Sequence, residues 1–110
     1  MSEKILQIVA TECDPAVEDR FNQWYNGVHV PLLFKYPGMT NVARYKIQGD
    51  PQGQQTYLAM YEFESAESMA AMPSSDEFKA AMAEMQESWP SGGIDIKYNT
   101  TYETLKTWHR

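Results

Sequence analysis

The chain has 110 residues, of which 43% are hydrophobic and 22% charged, so length and composition predict one globular domain over residues 1–110. Its formal net charge is −6 and its nine Lys and Arg residues are scattered, so no nucleic-acid partner is expected, because phosphate binding needs clustered basic side chains. No stretch approaches the ~20 apolar residues of a membrane-spanning helix, so no membrane partner is expected either.

The first predicted element is a strand over residues 4–13. Ile and Val dominate it, and both alternating sets of side chains contain apolar residues, which is typical of a strand covered on both faces. Asp14 and Pro15 follow and predict the start of a helix. Asp is a favoured N-cap, and Pro is favoured at the first helical position.

The first helix is expected to carry a dense apolar face at helical spacing, formed by Phe21, Trp24, Tyr25 and Val28. Pro31 disfavours helical backbone at the residue before it, so we predict that this helix ends near Val28 or His29. His29 is then expected at a helix C-terminus, where the chain turns.

The second half begins with a predicted hairpin. Residues 39–48 alternate and read as a second strand, residues 49–53 have loop composition, and residues 55–63 read as a third strand that again lacks a polar face. A short helix capped by Ser65 is predicted to run to Met72. Pro73 interrupts it, and a capping box with Ser74 as N-cap and Glu77 three residues later predicts the start of another helix. Residues 94–108 read as a long final strand.

The predicted order β-α-β-β-α-β is that of the ferredoxin-like α+β fold, in which two helices cover one face of a four-stranded antiparallel sheet. The first and third strands are apolar on both faces, yet the chain has no further element to cover the second face. A second copy would cover it. We therefore predict a homodimer whose sheets pack face to face as a dimeric α+β barrel, with a cavity between each sheet and its partner.

His29 is the strongest candidate for chemistry. An ordinary imidazole has a pKa of about 6.5, so it can take or give a proton near neutral pH. A histidine at a helix C-terminus can also cap the last carbonyls, and both roles stay open. The histidines and Cys13 show no metal-ligand spacing, and no nucleotide-binding motif occurs, so neither metal nor cofactor is expected.

The expected ligand is a small hydrophobic or aromatic molecule. The predicted ligand-binding residues are aromatic side chains of the helices and strands: Trp24, Tyr25, Tyr45, Tyr57, Tyr61, Trp89 and Tyr102. At least one of Trp24 and Tyr25 is expected to pack against the sheet instead. Arg44 alternates with Tyr45, so it is expected on the opposite side of its strand, exposed to solvent.

Location is predicted from the cysteine content and from the N-terminal residues. Cys13 is the only cysteine, so no internal disulfide can form, as is usual in a reducing cytoplasm. The first residues lead directly into a strand pattern without the features of a secretory signal peptide. We therefore predict a cytoplasmic protein.

One segment resembles a known family. It reads Phe21-x-x-Trp24-Tyr25-x-x-x-His29-x-Pro31-Leu32, then Pro37-Gly38 and Arg44-Tyr45, and it is similar to the EthD family of small dimeric α+β-barrel proteins. Relatives of that superfamily include cofactor-independent quinol monooxygenases, muconolactone isomerases and polyketide cyclases or dehydratases. The cyclase-type relatives have a histidine just before the second helix, where this chain has Met72-Pro73-Ser74-Ser75.

The resemblance implies a cofactor-independent enzyme of the isomerase, dehydratase or cyclase, or monooxygenase type. Its substrate would be a small aromatic, polyketide-like or lactone compound, with His29 as the general acid or base. The alternative is a non-catalytic protein of a degradation or biosynthesis pathway that binds a small ligand.

Overall fold

The computed structural model describes residues 4–110. Residues 1–3 of the predicted domain lie outside the described residues. The strands are β1 (Ile5–Cys13), β2 (Met39–Lys46), β3 (Tyr57–Phe63) and β4 (Ile94–Glu103). The helices are α1 (Glu18–Trp24), α2 (Val30–Leu33), α3 (Ala66–Ala71) and α4 (Asp76–Ser88).

The four strands form one antiparallel sheet in the order β2-β3-β1-β4, and this arrangement confirms the predicted ferredoxin-like α+β fold. The helices cover one face of the sheet. Phe21 of α1 and Phe63 of β3 are fully buried between the two layers. The ring of Phe21 contacts the rings of Tyr25, Tyr57 and Trp89, so the predicted aromatic face of α1 forms the centre of the core.

The first helical region does not end at Val28 or His29 as predicted. The turn Tyr25–His29 between α1 and α2 is a π-helical turn, in which the N–H of Val30 bonds to the carbonyl of Tyr25. The helical path then continues through α2 to Leu33, with Pro31 in its first turn. In a regular α-helix the Pro31 ring would clash with the carbonyl four residues back, and the wider π turn accommodates it.

One helix cap and one strand end differ from the prediction by a few residues. The N-cap of α4 is Ser75 and not Ser74, since its hydroxyl accepts the N–H of Phe78. β4 ends at Glu103 and not at residue 108. The caps at Asp14 and Ser65 are confirmed, because each side chain accepts a backbone N–H two or three residues ahead.

Each edge strand contains a β-bulge that reverses which face its side chains point to. In β4, Ile96 pairs with Thr11 and Tyr98 pairs with Ala10, so Lys97 is the extra residue. Simple alternation places Tyr98 and Tyr102 on the same face as Ile94. The bulge instead places both tyrosines on the face opposite the helices.

The bulge in β2 has the same effect on Tyr45. Met39 pairs with Phe63 and Asn41 with Glu62, so the register shifts between Met39 and Asn41. Met39 is buried under the helices, and strict alternation would place Tyr45 on that face with it. The bulge moves Tyr45 to the opposite face and brings Arg44 under α1. The expectation of an exposed Arg44 is therefore wrong.

The outer sheet face, defined as the face opposite the helices, is strongly apolar. It carries Leu58 and Met60 of β3, which are half-buried. Tyr45, Tyr98 and Tyr102 lie around them with 52%, 45% and 54% of their surfaces exposed. Within the described chain, no helix covers this face.

Candidate functional site

A cavity of about 200 Å³ lies between the sheet and the helices. Its floor is formed by Gln7, Val9 and Thr11 of β1 and Tyr61 of β3. Its roof consists of large apolar side chains at and around α4: Met72, Phe78, Met82 and Met85. Trp24, Tyr25 and His29 form one wall, and Ile94, Ile96 and Asn99 of β4 form another. The lining residues include no Lys, Arg, Asp or Glu.

His29 is the histidine of the cavity wall, and it is buried. Only 6% of its surface is exposed, and its Nδ1 atom has no hydrogen-bond partner within residues 4–110. The imidazole stacks on Trp24, with ring centroids 4.6 Å apart, and meets the Tyr25 ring edge-on at 5.1 Å. Because the helix continues past His29, this side chain does not cap a helix C-terminus. The π turn aims it into the cavity wall instead.

The pKa of His29 is lowered from 6.5 to about 4. The main cause is burial, because an imidazolium loses its hydration in this apolar wall. The carboxylate of Glu84 opposes the decrease, while the guanidinium of Arg44 adds to it. His29 is therefore neutral at pH 7, and its unpaired Nδ1 can form a hydrogen bond with a bound molecule.

Two tyrosine hydroxyls meet beside the cavity. The hydroxyl oxygens of Tyr25 and Tyr61 lie 2.8 Å apart, and either can donate to the other. Burial raises the pKa of Tyr25, and it raises the pKa of Tyr61 well above its ordinary value, so both stay neutral phenols. The guanidinium of Arg44 lies 4.1 Å from the centre of the Tyr25 ring and bonds to Asn22 and Asn26, which fixes that ring in place.

Glu84 of α4 is a site residue that the sequence did not reveal. One carboxylate oxygen accepts the indole N–H of Trp24 at 2.8 Å, and the other accepts the hydroxyl of Ser88. Glu84 thus holds the ring on which His29 stacks. Trp24 and Glu84 are 60 positions apart in the chain, and no local sequence pattern predicts such a contact.

Of the predicted site residues, the structure brings His29, Trp24, Tyr25 and Tyr61 together at the cavity. Tyr57 is buried elsewhere, where its hydroxyl donates to Glu18 and accepts from Asn22. Trp89 packs against Phe21 and Trp24, with the guanidinium of Arg20 over its ring. Tyr45 and Tyr102 lie on the outer sheet face, because of the two bulges. These four residues are outside the cavity.

Two further properties of residues 4–110 bear on the class of site. No three His, Cys, Asp or Glu side chains come close enough to one another to hold a metal ion. None of the helices in this range has the length and apolar character needed to cross a bilayer.

Comparisons with solved structures support the fold. An ethyl tert-butyl ether D (EthD) family protein from Bacillus halodurans matches with a TM-score of 0.64 and 21% identity, over 96% of this chain and 99% of that one. A complex of MhuD with two manganese protoporphyrin IX molecules bound in each active site matches with a TM-score of 0.75 and 14% identity, over 96% and 99%. SnoaB, a cofactor-independent oxygenase from Streptomyces nogalater, matches with a TM-score of 0.67 and 7% identity, over 96% and 97%.

At these identities the similarities establish the fold alone. A search of curated proteins found no match. A family described as "Domain of unknown function (DUF4286)" matches residues 4–108, nearly the whole chain. The chain therefore belongs to the DUF4286 family, and its resemblance to EthD proteins is confirmed at the level of the fold.

Proposed function

We propose that the chain is a cofactor-independent enzyme that acts on a small aromatic, polyketide-like or lactone compound, with His29 as its general base. The observation that supports this most directly is the unpaired Nδ1 atom of His29 in the wall of an otherwise apolar cavity. Buried polar atoms in native proteins nearly always have a partner, so an orphaned one at a cavity points to a bound molecule.

In this proposal the ligand presents an acidic O–H or C–H group to His29. The imidazole takes the proton, and the charge left on the ligand lies beside the hydroxyls of Tyr25 and Tyr61. The hydroxyl that accepts in the bond between them keeps its own hydrogen and can donate it to the ligand. An anion held next to the imidazolium also favours its charged form, which offsets the effect of burial. Trp24 supplies a flat surface on which a ring can lie.

The cavity volume limits the size of the ligand. Pockets for drug-sized ligands usually enclose about 300–1,000 Å³, whereas this cavity has about 200 Å³. We therefore propose a ligand of one ring or two. Although MhuD binds a porphyrin, this cavity does not fit a macrocycle of that size.

The second candidate is a non-catalytic protein that binds a small ligand in the same cavity. It is favoured by the pKa of about 4 for His29, because an efficient general base has a pKa near the working pH. In that case the neutral imidazole only forms a hydrogen bond with the ligand.

Two further proposals concern assembly and location. The apolar outer sheet face, with its three exposed tyrosines, supports a homodimer formed through that face. A cytoplasmic location stays a prediction from the single cysteine.

The proposed enzyme function can be tested by proton exchange, which requires no knowledge of the full reaction. Hydroquinone, a cyclic diketone and an unsaturated butyrolactone serve as probes, and nuclear magnetic resonance follows both their binding and the uptake of solvent deuterium at carbon. We expect the protein to accelerate exchange in at least one probe. His29→Phe keeps a ring against Trp24 but removes the base, so exchange should slow by about 10²-fold or more while binding persists.

His109→Gln removes the other histidine of the chain, in its exposed tail, and should leave exchange unchanged. Binding without acceleration by the wild-type protein would favour the non-catalytic alternative. If none of the probes bound in the cavity, both functions would be wrong.

A further inference from the structure

The bulge in β4 places an amide side chain where simple alternation would not. Lys97 is the extra residue, so Asn99 pairs with Val9 and faces the cavity side of the sheet. Without the bulge, Tyr98 would take that side. Bulges are frequent next to functional sites, where they redirect a side chain.

Asn99 does not stand alone at the cavity. The amide nitrogen of Gln7, on the neighbouring strand β1, donates to the side-chain oxygen of Asn99 at 2.8 Å. Both residues line the cavity. This bond uses one of the four N–H groups of the two amides, so donors remain for a bound molecule.

The amide pair lies at the open side of the cavity. β4 is an edge strand, and Ile96 and Asn99, which both line the cavity, are exposed to solvent. Gln7 is half-buried. A ligand with its apolar part inside the cavity would therefore place a polar group at this pair.

The charge around the cavity indicates what that polar group is. The lining has no charged side chain, so nothing in it would compensate the charge of a bound ion. Neutral amide N–H donors suit an uncharged acceptor, and the simplest of these is a carbonyl oxygen.

We propose that Gln7 and Asn99 determine ligand specificity by binding an uncharged carbonyl group, such as that of a ring ketone, a lactone or a carboxamide. This inference rests on the proposed function only in that the cavity holds a small ring compound. It does not depend on catalysis by His29.

Three probes that share a benzene ring test it: acetophenone carries a carbonyl, ethylbenzene lacks one, and benzoate carries a charge. Dissociation constants come from chemical-shift titrations of the wild-type protein. We expect acetophenone to bind about 3- to 10-fold more tightly than ethylbenzene, the usual net value of a hydrogen bond. Benzoate should bind more weakly than both.

Asn99→Leu is nearly isosteric and should weaken the preference for acetophenone over ethylbenzene, because it removes two of the four amide N–H groups. Thr101→Val, at a position of β4 outside the cavity lining, is the matched control and should keep the preference. Gln7→Met is the second variant, in case Asn99→Leu does not fold, and should weaken the preference in the same way.

A preference for acetophenone that stays undiminished in both amide variants would overturn the inference, as would equal affinities in the wild-type protein. Those results would leave the proposed cavity intact. If no probe bound in the cavity, the inference and the proposed function would fail together.

Discussion

Burial of His29 should make the stability of the protein depend on pH between about 6.5 and 4. The unfolded chain binds a proton at this histidine as the pH falls through about 6.5, but the folded protein binds it only near pH 4, because its pKa is lowered to about 4. Between these values the unfolded state therefore holds more protons than the folded state. Stability is complete above pH 6.5 and decreases as the pH falls towards 4.

The size of the effect follows from the two pKa values of His29. They differ by about 2.5, and each pKa unit corresponds to 1.36 kcal/mol, so the expected loss is about 3 kcal/mol between pH 7 and pH 4. A loss of this size is large compared with the 5–15 kcal/mol that stabilises a typical domain.

Urea unfolding at a series of pH values from 7 to 4 would measure this loss, at one fixed protein concentration because a dimer would make stability concentration-dependent. His29→Gln removes the titrating group and keeps a polar side chain. The variant should show a pH dependence about 3 kcal/mol smaller than that of the wild-type protein over the same range. The carboxylates that do not interact with His29 contribute equally to both curves, so the difference reports the titration of His29 together with its interaction with Glu84.

His109→Gln provides a control for the loss of a histidine as such, since residue 109 lies in the exposed tail. It should retain the wild-type pH dependence. Parallel curves for the wild-type protein and His29→Gln would refute the reasoning, because they would show that the folded protein protonates His29 as easily as the unfolded chain does.

Three other outcomes are expected. Glu84→Ala leaves the buried indole N–H of Trp24 without its acceptor and should lower the free energy of unfolding by about 1–3 kcal/mol. Glu84→Gln keeps an acceptor and should lower the free energy of unfolding less. Equal losses in the two variants would contradict the proposed role of the hydrogen bond. Tyr25→Phe should cost about 1–3 kcal/mol because the Tyr61 hydroxyl is left unpaired, and the double variant Tyr25→Phe/Tyr61→Phe should regain part of that loss. Tyr98→Glu on the outer sheet face should convert the proposed dimer to a monomer in sedimentation equilibrium, and a wild-type protein that sediments as a monomer would disprove the dimer.

The element order could be predicted from the sequence because each strand and helix has a strong periodic pattern. The β1 and β3 patterns were strong enough to indicate a sheet that is apolar on both faces. What alternation could not reveal was the pair of bulges in the edge strands. A bulge adds one residue without an obvious signal, and it reverses the direction of every side chain after it. The position of Tyr45 and of Tyr102 on the outer sheet face follows directly from that reversal.

The candidate site could be predicted only in part from the sequence, because only some of its residues are close together in the chain. Trp24, Tyr25 and His29 are close in sequence, so local spacing already indicated their common position. Gln7 and Asn99 reach the cavity from two different strands, and Glu84 of α4 holds Trp24 in its wall. Only the folded chain brings these residues near it. Pro31 was interpreted as a helix end because its effect on regular α-helix is strong, whereas the π turn that absorbs it depends on packing.

The π turn also sets the rotation between the two halves of the first helical region. A π turn has one more residue than the α turn it replaces, and each residue of a helix corresponds to a rotation of roughly 100°. The side chains from Val30 onward are therefore rotated by that angle relative to the face that carries Trp24. Gly27 lies within the turn and has open space around its α-carbon. If one residue of the π turn were deleted, the segment could form a continuous α-helix. The direction of the His29 side chain relative to Trp24 would then change. The length of this turn therefore determines whether the two rings can stack.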